Sequence, residues 1–176
     1  MFRSVTVRLA VFVIALGFAP CAAIPAAQAQ NQIGGHFGAV FPLVTRVNGQ
    51  TIDISDDFKV GFPMGITVKK TGKIAFDLEL VPVLDPDEDH AINVPLTIHP
   101  GVLRDLGGNW TGGLRMAFDI NGASWGFTPL LNRHFDIPNH SYVYFVEFVL
   151  PIRFQDDVFG DTHTAVTFGI HAGIGF

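Results

Sequence analysis

The chain has 176 residues, enough for one domain; 48% are hydrophobic and 12% aromatic, and 17 of the aromatic residues are phenylalanine. Its formal charge of −5 at neutral pH argues against nucleic acid as a partner, because nucleic-acid binding needs a basic face. A single cysteine excludes a framework of disulfides.

Residues 1–29 have the pattern of a signal peptide. Arg3 and Arg8 precede an apolar run that extends from Leu9 to Ala19, and Ala27-Gln28-Ala29 is a small-x-small cleavage site. We therefore expect export, cleavage and a mature domain of residues 30–176, in which 9 basic and 16 acidic residues give a formal charge of −7. The alternatives are an uncleaved anchor and a lipoprotein attached through the cysteine of this leader.

The rest of the chain alternates between large apolar residues and small or polar residues with a period of two, which predicts β-strands. Clusters of Gly, Asn and Asp divide this sequence into eight stretches. In chain order they are residues 33–47, 58–70, 73–84, 94–103, 110–120, 125–135, 142–154 and 166–176. Each is near or above the ~9–11 residues that a tilted strand needs to cross a bilayer.

The alternation is clearest in the second stretch and weakest in the sixth, where the neighbouring Leu130 and Leu131 interrupt it. Prolines are a second departure, because proline lacks the N–H that a strand donates to its neighbour. We expect them at bulges, at strand ends or above the membrane plane. They are Pro42, Pro63, Pro82, Pro95, Pro100, Pro129 and Pro151.

The predicted connections differ in charge between the two ends of the barrel. If both chain ends lie in the periplasm, the outer connections are residues 48–57, 85–93, 121–124 and 155–163. Most lysines of the chain then lie in or beside the shorter inner connections. One outer loop concentrates four acids: Asp85, Asp87, Glu88 and Asp89. Such a loop can hold calcium, but it lacks the glycine and distal glutamate of an EF-hand. We expect a hydrated surface loop, with divalent bridges to lipopolysaccharide as a further option.

The polar face of the strands is rich in glycine and carries few charges of both signs. This pattern favours a membrane barrel with apolar side chains outside and paired charges inside over a soluble sandwich. Buried charges are costly unless they are paired, so we predict an interior network that fills the lumen, with a narrow pore as the alternative. Its members are Arg46, Asp77, Glu79, Arg115, Asp119, Glu147 and Arg153.

Two histidines lie near the ends of the predicted barrel sequence. His36 is in the first strand and His171 in the last, and closing the barrel pairs these strands in antiparallel orientation. We therefore predict an interior histidine pair near the periplasmic end. Without a suitable third ligand, hydrogen bonding is favoured over a metal site.

The last eleven residues, VTFGIHAGIGF, alternate apolar residues with small or polar ones, and their apolar positions include Phe168, Ile170, Ile174 and Phe176. This strand resembles the C-terminal assembly signal of bacterial outer-membrane barrels. Together with the leader, the chain resembles small eight-stranded barrels of the OmpA, OmpX and OmpW type. The resemblance implies that the barrel-assembly machinery is a partner during biogenesis.

We therefore predict an all-β, eight-stranded antiparallel up-and-down transmembrane β-barrel in the outer membrane of a Gram-negative bacterium. Its expected role is structural or surface-interacting, as a monomer surrounded by lipid and lipopolysaccharide, with no cofactor and no metal. Three alternatives remain open: a barrel that binds or transports a small or apolar molecule, a lipid-modifying enzyme, and a soluble secreted β protein. The adjacent His140 and Ser141 are the only hint of an enzyme, and no G-x-S-x-G motif accompanies them.

Overall fold

A computed structural model describes residues 32–69, 72–85, 94–120, 124–156 and 162–176. The predicted signal peptide lies outside these residues, as do Asp87, Glu88 and Asp89 of the outer acidic loop. Within the described ranges, no helix has the length and apolar character needed to span a membrane.

The described residues form one antiparallel sheet of eleven strands that closes on itself. The strands are β1 (Gln32–Val47), β2 (Gln50–Asp53), β3 (Val60–Gly61), β4 (Met64–Lys69), β5 (Ile74–Leu84), β6 (Leu96–Gly107), β7 (Trp110–Asp119), β8 (Ser124–Asp136), β9 (Val143–Val149), β10 (Ile152–Asp156) and β11 (Thr162–Gly175). Strands β2, β3 and β4 share one place in the ring, β9 and β10 share another, and β11 pairs with β1. The ring therefore has eight positions, and the predicted eight-stranded antiparallel barrel is confirmed.

The barrel closes where β1 meets β11, in a register that runs from His36 opposite Gly175 to Val47 opposite Ala165. Gly173 is required at this seam, because a Cβ there would lie 2.2 Å from the carbonyl oxygen of Phe37. The backbone of Phe176 exchanges two hydrogen bonds with Gly35, at 2.8 and 2.9 Å. The final residue therefore extends the seam beyond β11.

The first outer connection is a hairpin extension rather than the loop that the sequence suggested. Asn48 and Gly49 have φ angles of 51° and 78°, the left-handed conformations of a tight two-residue hairpin turn. After this turn, β2 pairs with the end of β1, from Val47 opposite Gln50 to Val44 opposite Asp53. The first connection therefore begins with a short strand that belongs to the sheet.

The prolines lie in three kinds of place. Pro42 is at a register shift in β1, Pro63 separates β3 from β4, and Pro151 separates β9 from β10. The other prolines lie within strands or just before them. Several of these prolines still accept a backbone hydrogen bond through their carbonyl oxygens, at 2.8–3.0 Å; these are Pro63, Pro82, Pro95, Pro129 and Pro151.

The apparent break in the sixth stretch is not a structural break. Leu130 is buried inside the barrel, whereas Leu131 is exposed on the outer face, so the alternation of faces continues through both residues. The sequence pattern fails here only because one interior position is apolar.

The barrel is apolar outside and polar inside. Large hydrophobic side chains are exposed on the strands, including Ile66, Phe76, Leu114 and Tyr144, with 50–58% of their surface accessible. Eight polar or charged residues are buried among the described ones. They are Asp77, Glu79, Thr97, His99, Arg115, Thr128, Glu147 and His171.

Candidate functional site

The strand registers bring charged side chains from several strands to one level of the lumen. Glu79 of β5 lies opposite His99 of β6, and Glu147 of β9 lies opposite His171 of β11. Arg115 projects from β7 towards the same level. Alternation turns these side chains inward, and the register determines that they meet.

Arg115 is the centre of this layer. Its Nε donates to Oδ2 of Asp77 at 2.8 Å, and its Nη1 donates to Oε1 of Glu147 at 2.8 Å. The same Nη1 lies 3.2 Å from Oε2 of Glu79. All four side chains are buried, with Asp77 fully so. We call these four residues the charged layer.

Three histidines surround the two glutamates of the charged layer. His36 and His99 contact the two oxygens of Glu79, each at 2.9 Å, and His171 contacts Oε1 of Glu147 at 3.2 Å. Arg153 lies 3.0 Å from Nε2 of His99. Because arginine can only donate, this Nε2 is the acceptor, and Nδ1 of His99 carries the proton that it donates to Glu79.

The predicted interior histidines are brought together, but beside Glu79 and Glu147 of the charged layer rather than near the end of the barrel. The ring centroids of His36 and His171 lie 5.9 Å apart in an edge-on arrangement. Nδ1 of His171 faces Glu147, whereas its buried Nε2 has no hydrogen-bond partner among the described residues. The pair therefore belongs to a larger polar network and is not an isolated contact.

A metal ion has a candidate set of ligands in this network. Glu79, Glu147 and His171 each present one ligand atom, and these atoms lie within 4.8 Å of one another. Arg115 contacts both carboxylates and already supplies positive charge between them. A divalent ion at this place would have to compete with the guanidinium.

The prediction for Arg46 is wrong. The pairing of β1 with β11 shifts register between Pro42 and Val44. This bulge reverses the faces beyond it, so Arg46 is exposed, while Thr45 turns inward and its hydroxyl lies 2.9 Å from that of Thr167.

The remaining predicted charges lie nearer the loop end of the lumen. The carboxylate of Asp119 accepts hydrogen bonds from the hydroxyls of Thr97 and Ser124. Arg153 donates to the hydroxyl of Thr128 at 3.1 Å and to the carbonyl oxygen of Phe127 at 3.3 Å. The structure thus unites Asp77, Glu79, Arg115 and Glu147, and leaves Asp119 and Arg153 apart from them.

Sequence reasoning missed His99 as a site residue. Alternation alone places His99 on the polar face of its strand, so the signal was present. Its role depends on facing Glu79 across the β5–β6 pair, and this register is not encoded by the alternation.

Comparisons with known proteins concern the fold. A scan against protein-family models finds no match, and neither does a search of curated proteins. Among solved structures, the outer membrane protein OprG from Pseudomonas aeruginosa is similar, with 12% identity and a TM-score of 0.40 over 82% of this chain and 93% of OprG. The chain resembles outer-membrane barrels in fold.

A second similar structure is Ail, the attachment invasion locus protein of Yersinia pestis, solved in complex with the heparin analogue sucrose octasulfate. The identity is 9% and the TM-score 0.44, over 84% of this chain and 99% of Ail. The resemblance at this level concerns the strand arrangement alone.

The charged layer divides the lumen into two cavities. The inner cavity, on the side of the chain ends, has a volume of about 380 Å³ and is lined by His36, Ser141 and Phe176 among others. The outer cavity, on the loop side, has a volume of about 420 Å³. Arg115 and Glu147 line both cavities, so these two residues form part of the wall between them.

Residues at the mouth of the outer cavity are held by ion pairs and hydrogen bonds. Nζ of Lys59 lies 2.9 Å from Asp57 and 3.0 Å from Asp85, the described member of the outer acidic loop. Partial burial opposes the charged form of Lys59, but hydrogen bonds to these carboxylates outweigh it and raise the pKa of Lys59. Hydrogen bonds from Ser55 lower the pKa of Asp53.

Proposed function

We propose that the protein is a barrel of the bacterial outer membrane with a closed lumen and a structural or surface-interaction role. The observation that carries this proposal is the inverted polarity of the barrel. Its outer face exposes many large hydrophobic residues, whereas three carboxylates and the guanidinium group of Arg115 are buried inside. In water this distribution would expose apolar surface and bury charge at once, and both are unfavourable. In lipid the apolar outer face no longer carries this cost, and the buried charges are offset by their pairing inside the barrel.

The charged layer supports a closed lumen. In the charged layer, three carboxylates contact one guanidinium in the middle of the barrel. His36, His99 and His171 contact the glutamates of this layer. The interior of an eight-stranded barrel is narrow enough for side chains to fill it. A hydrated ion that crosses the charged layer would therefore have to displace several buried ion pairs.

The expected partners follow from this placement. Lipid and lipopolysaccharide would surround the outer face, and the barrel-assembly machinery would insert the chain, with the terminal strand through Phe176 as its recognition element. The acidic residues at the loop end would form the surface that meets the outside. These partners remain predictions.

Cell fractionation tests the membrane proposal. We expect the protein in the outer-membrane fraction and expect unboiled samples to migrate faster on a denaturing gel than boiled ones, because closed barrels resist the detergent. Recovery in the soluble periplasm, without a heat-dependent change in migration, would refute the membrane location.

Planar-bilayer recording tests the closed lumen separately. We expect no steady ion conductance from the inserted wild-type barrel, because the charged layer spans the lumen. Stable single-channel steps from the wild-type protein would refute closure while leaving the membrane location intact.

A further inference from the structure

The outer cavity combines apolar walls with a polar floor. Its volume of about 420 Å³ lies in the range of small-molecule pockets, which run from about 300 to 1,000 Å³. Val81 and Val149, both buried, contribute apolar wall, as do Val40 and Pro151. Arg115 and Glu147 of the charged layer form part of its bottom, on the side that faces the inner cavity.

Arg153 is distinctive in this cavity because its direct partners are all neutral. Its Nη1 donates to the hydroxyl of Thr128 and to backbone carbonyl oxygens, and its Nη2 donates to the neutral nitrogen of His99. Among the residues that the structure describes, none places a carboxylate oxygen within 4 Å of this guanidinium. By contrast, Arg115 contacts three carboxylates.

The acids that line the outer cavity already have donors. Glu79 and Glu147 are held by Arg115 and by histidines, and Asp57 is paired with Lys59. Asp119 accepts two hydroxyl hydrogen bonds, and Asp53 accepts hydrogen bonds from Ser55. Asp119 and Asp53 thus have neutral donors only, as Arg153 has neutral acceptors only. Among the described residues that line the cavity, Arg153 is the arginine or lysine with no carboxylate oxygen within 4 Å.

We propose that the outer cavity binds a small organic anion, namely a carboxylate with a short aliphatic body. The carboxylate would bind the guanidinium of Arg153, which suits a planar anion with two oxygens. The aliphatic body would pack against Val81 and Val149. This inference goes beyond the proposed function and fails independently of it, because the cavity exists whether or not the barrel lies in a membrane.

The test uses the refolded full barrel in lipid nanodiscs and three probes of equal length: pentanoate, pentanol and pentylamine. NMR would follow the methyl groups of Val81 and Val149 and the side-chain Nε–H of Arg153. We expect saturable shifts with pentanoate and at least tenfold weaker binding of pentanol and pentylamine, because only pentanoate supplies the counter-ion. Equal binding of all three probes, or no saturable shift with pentanoate, would overturn the proposal.

A matched pair of arginine variants locates the site. Arg153→Gln is expected to weaken pentanoate binding by about tenfold or more, because it removes a charge-assisted pair. Arg46→Gln, at an exposed arginine, is expected to leave it unchanged. Unchanged affinity in Arg153→Gln would refute the assignment of Arg153. If Arg153→Gln does not fold, Val149→Phe serves instead: it leaves the arginine in place and should exclude pentanoate by filling the cavity, and undiminished binding would refute the assignment of this cavity.

Discussion

Replacing Arg115 with methionine is expected to lower the free energy of unfolding by about 3–5 kcal/mol, because it leaves buried carboxylates without their counter-ion. Asp77, Glu79 and Glu147 would remain in the lumen with histidines and neutral groups as their only partners. The measurement is equilibrium unfolding by denaturant in lipid vesicles, followed by far-UV circular dichroism.

Two comparisons separate lost charge from lost packing in this experiment. Arg46→Met, at an exposed arginine, is expected to change stability by less than about 0.5 kcal/mol. Adding Asp77→Asn and Glu147→Gln to Arg115→Met is expected to recover part of the loss, since fewer buried charges then lack a partner. If Arg115→Met is as stable as Arg46→Met, the charged layer does not hold the lumen together.

Replacing Phe148 with arginine is expected to cost about 2–4 kcal/mol of folding stability in vesicles, because this side chain points outward at the level of the charged layer, near mid-height of the barrel. A charge there would face hydrocarbon. Phe135→Arg is the matched control, since Phe135 lies at the end of β8 and is similarly exposed, 46% against 41%.

The control is expected to cost only about 0–1 kcal/mol, because charges near the interface are tolerated. Depth in the membrane should therefore separate two substitutions that solvent exposure alone would treat as equal. Small and equal costs at both positions would indicate an outer face in contact with water.

The sequence was sufficient to predict the faces of most strands. Period-two alternation depends only on which side chains tolerate lipid and which fit the lumen, and both preferences are local. Phe148 and Phe168 were placed outside and Glu147 and His171 inside, and the structure agrees. At Leu130, where the alternation of residue types is interrupted, the strand continues without a break.

Alternation could not reveal local changes in register. The bulge near Pro42 adds one residue to β1 and reverses every face beyond it, and so exposes Arg46. A bulge depends on how two strands that are distant in sequence pair with each other, so the residues around it in the sequence do not predict it. The turn at Asn48-Gly49 was readable as a hairpin signal, but it fell inside a longer stretch of polar residues.

Most members of the candidate site were predictable from the sequence, apart from His99 and Arg46, but their grouping was not. Interior charges could be identified from their faces, whereas their heights in the lumen depend on the stagger between strands. That stagger brings Asp77, Glu79 and Glu147 to Arg115 and leaves Arg153 in the outer cavity beside His99. The lining of the outer cavity also depends on the stagger between strands, because residues from most of the strands contribute to it.

Spin labelling at Leu78 tests most directly whether the outer face lies in lipid. Leu78 projects outward from β5 between the inward-facing Asp77 and Glu79, and a label would be attached to Leu78→Cys, with Gln50→Cys in the outer hairpin as the reference. Cys21 lies in the predicted leader, so it would be absent from the mature domain and would not be labelled. For the label at position 78 we predict strong relaxation by oxygen, which partitions into hydrocarbon, and weak relaxation by a water-soluble nickel chelate, with the opposite order at position 50. Strong relaxation by the nickel chelate at both positions would contradict the account.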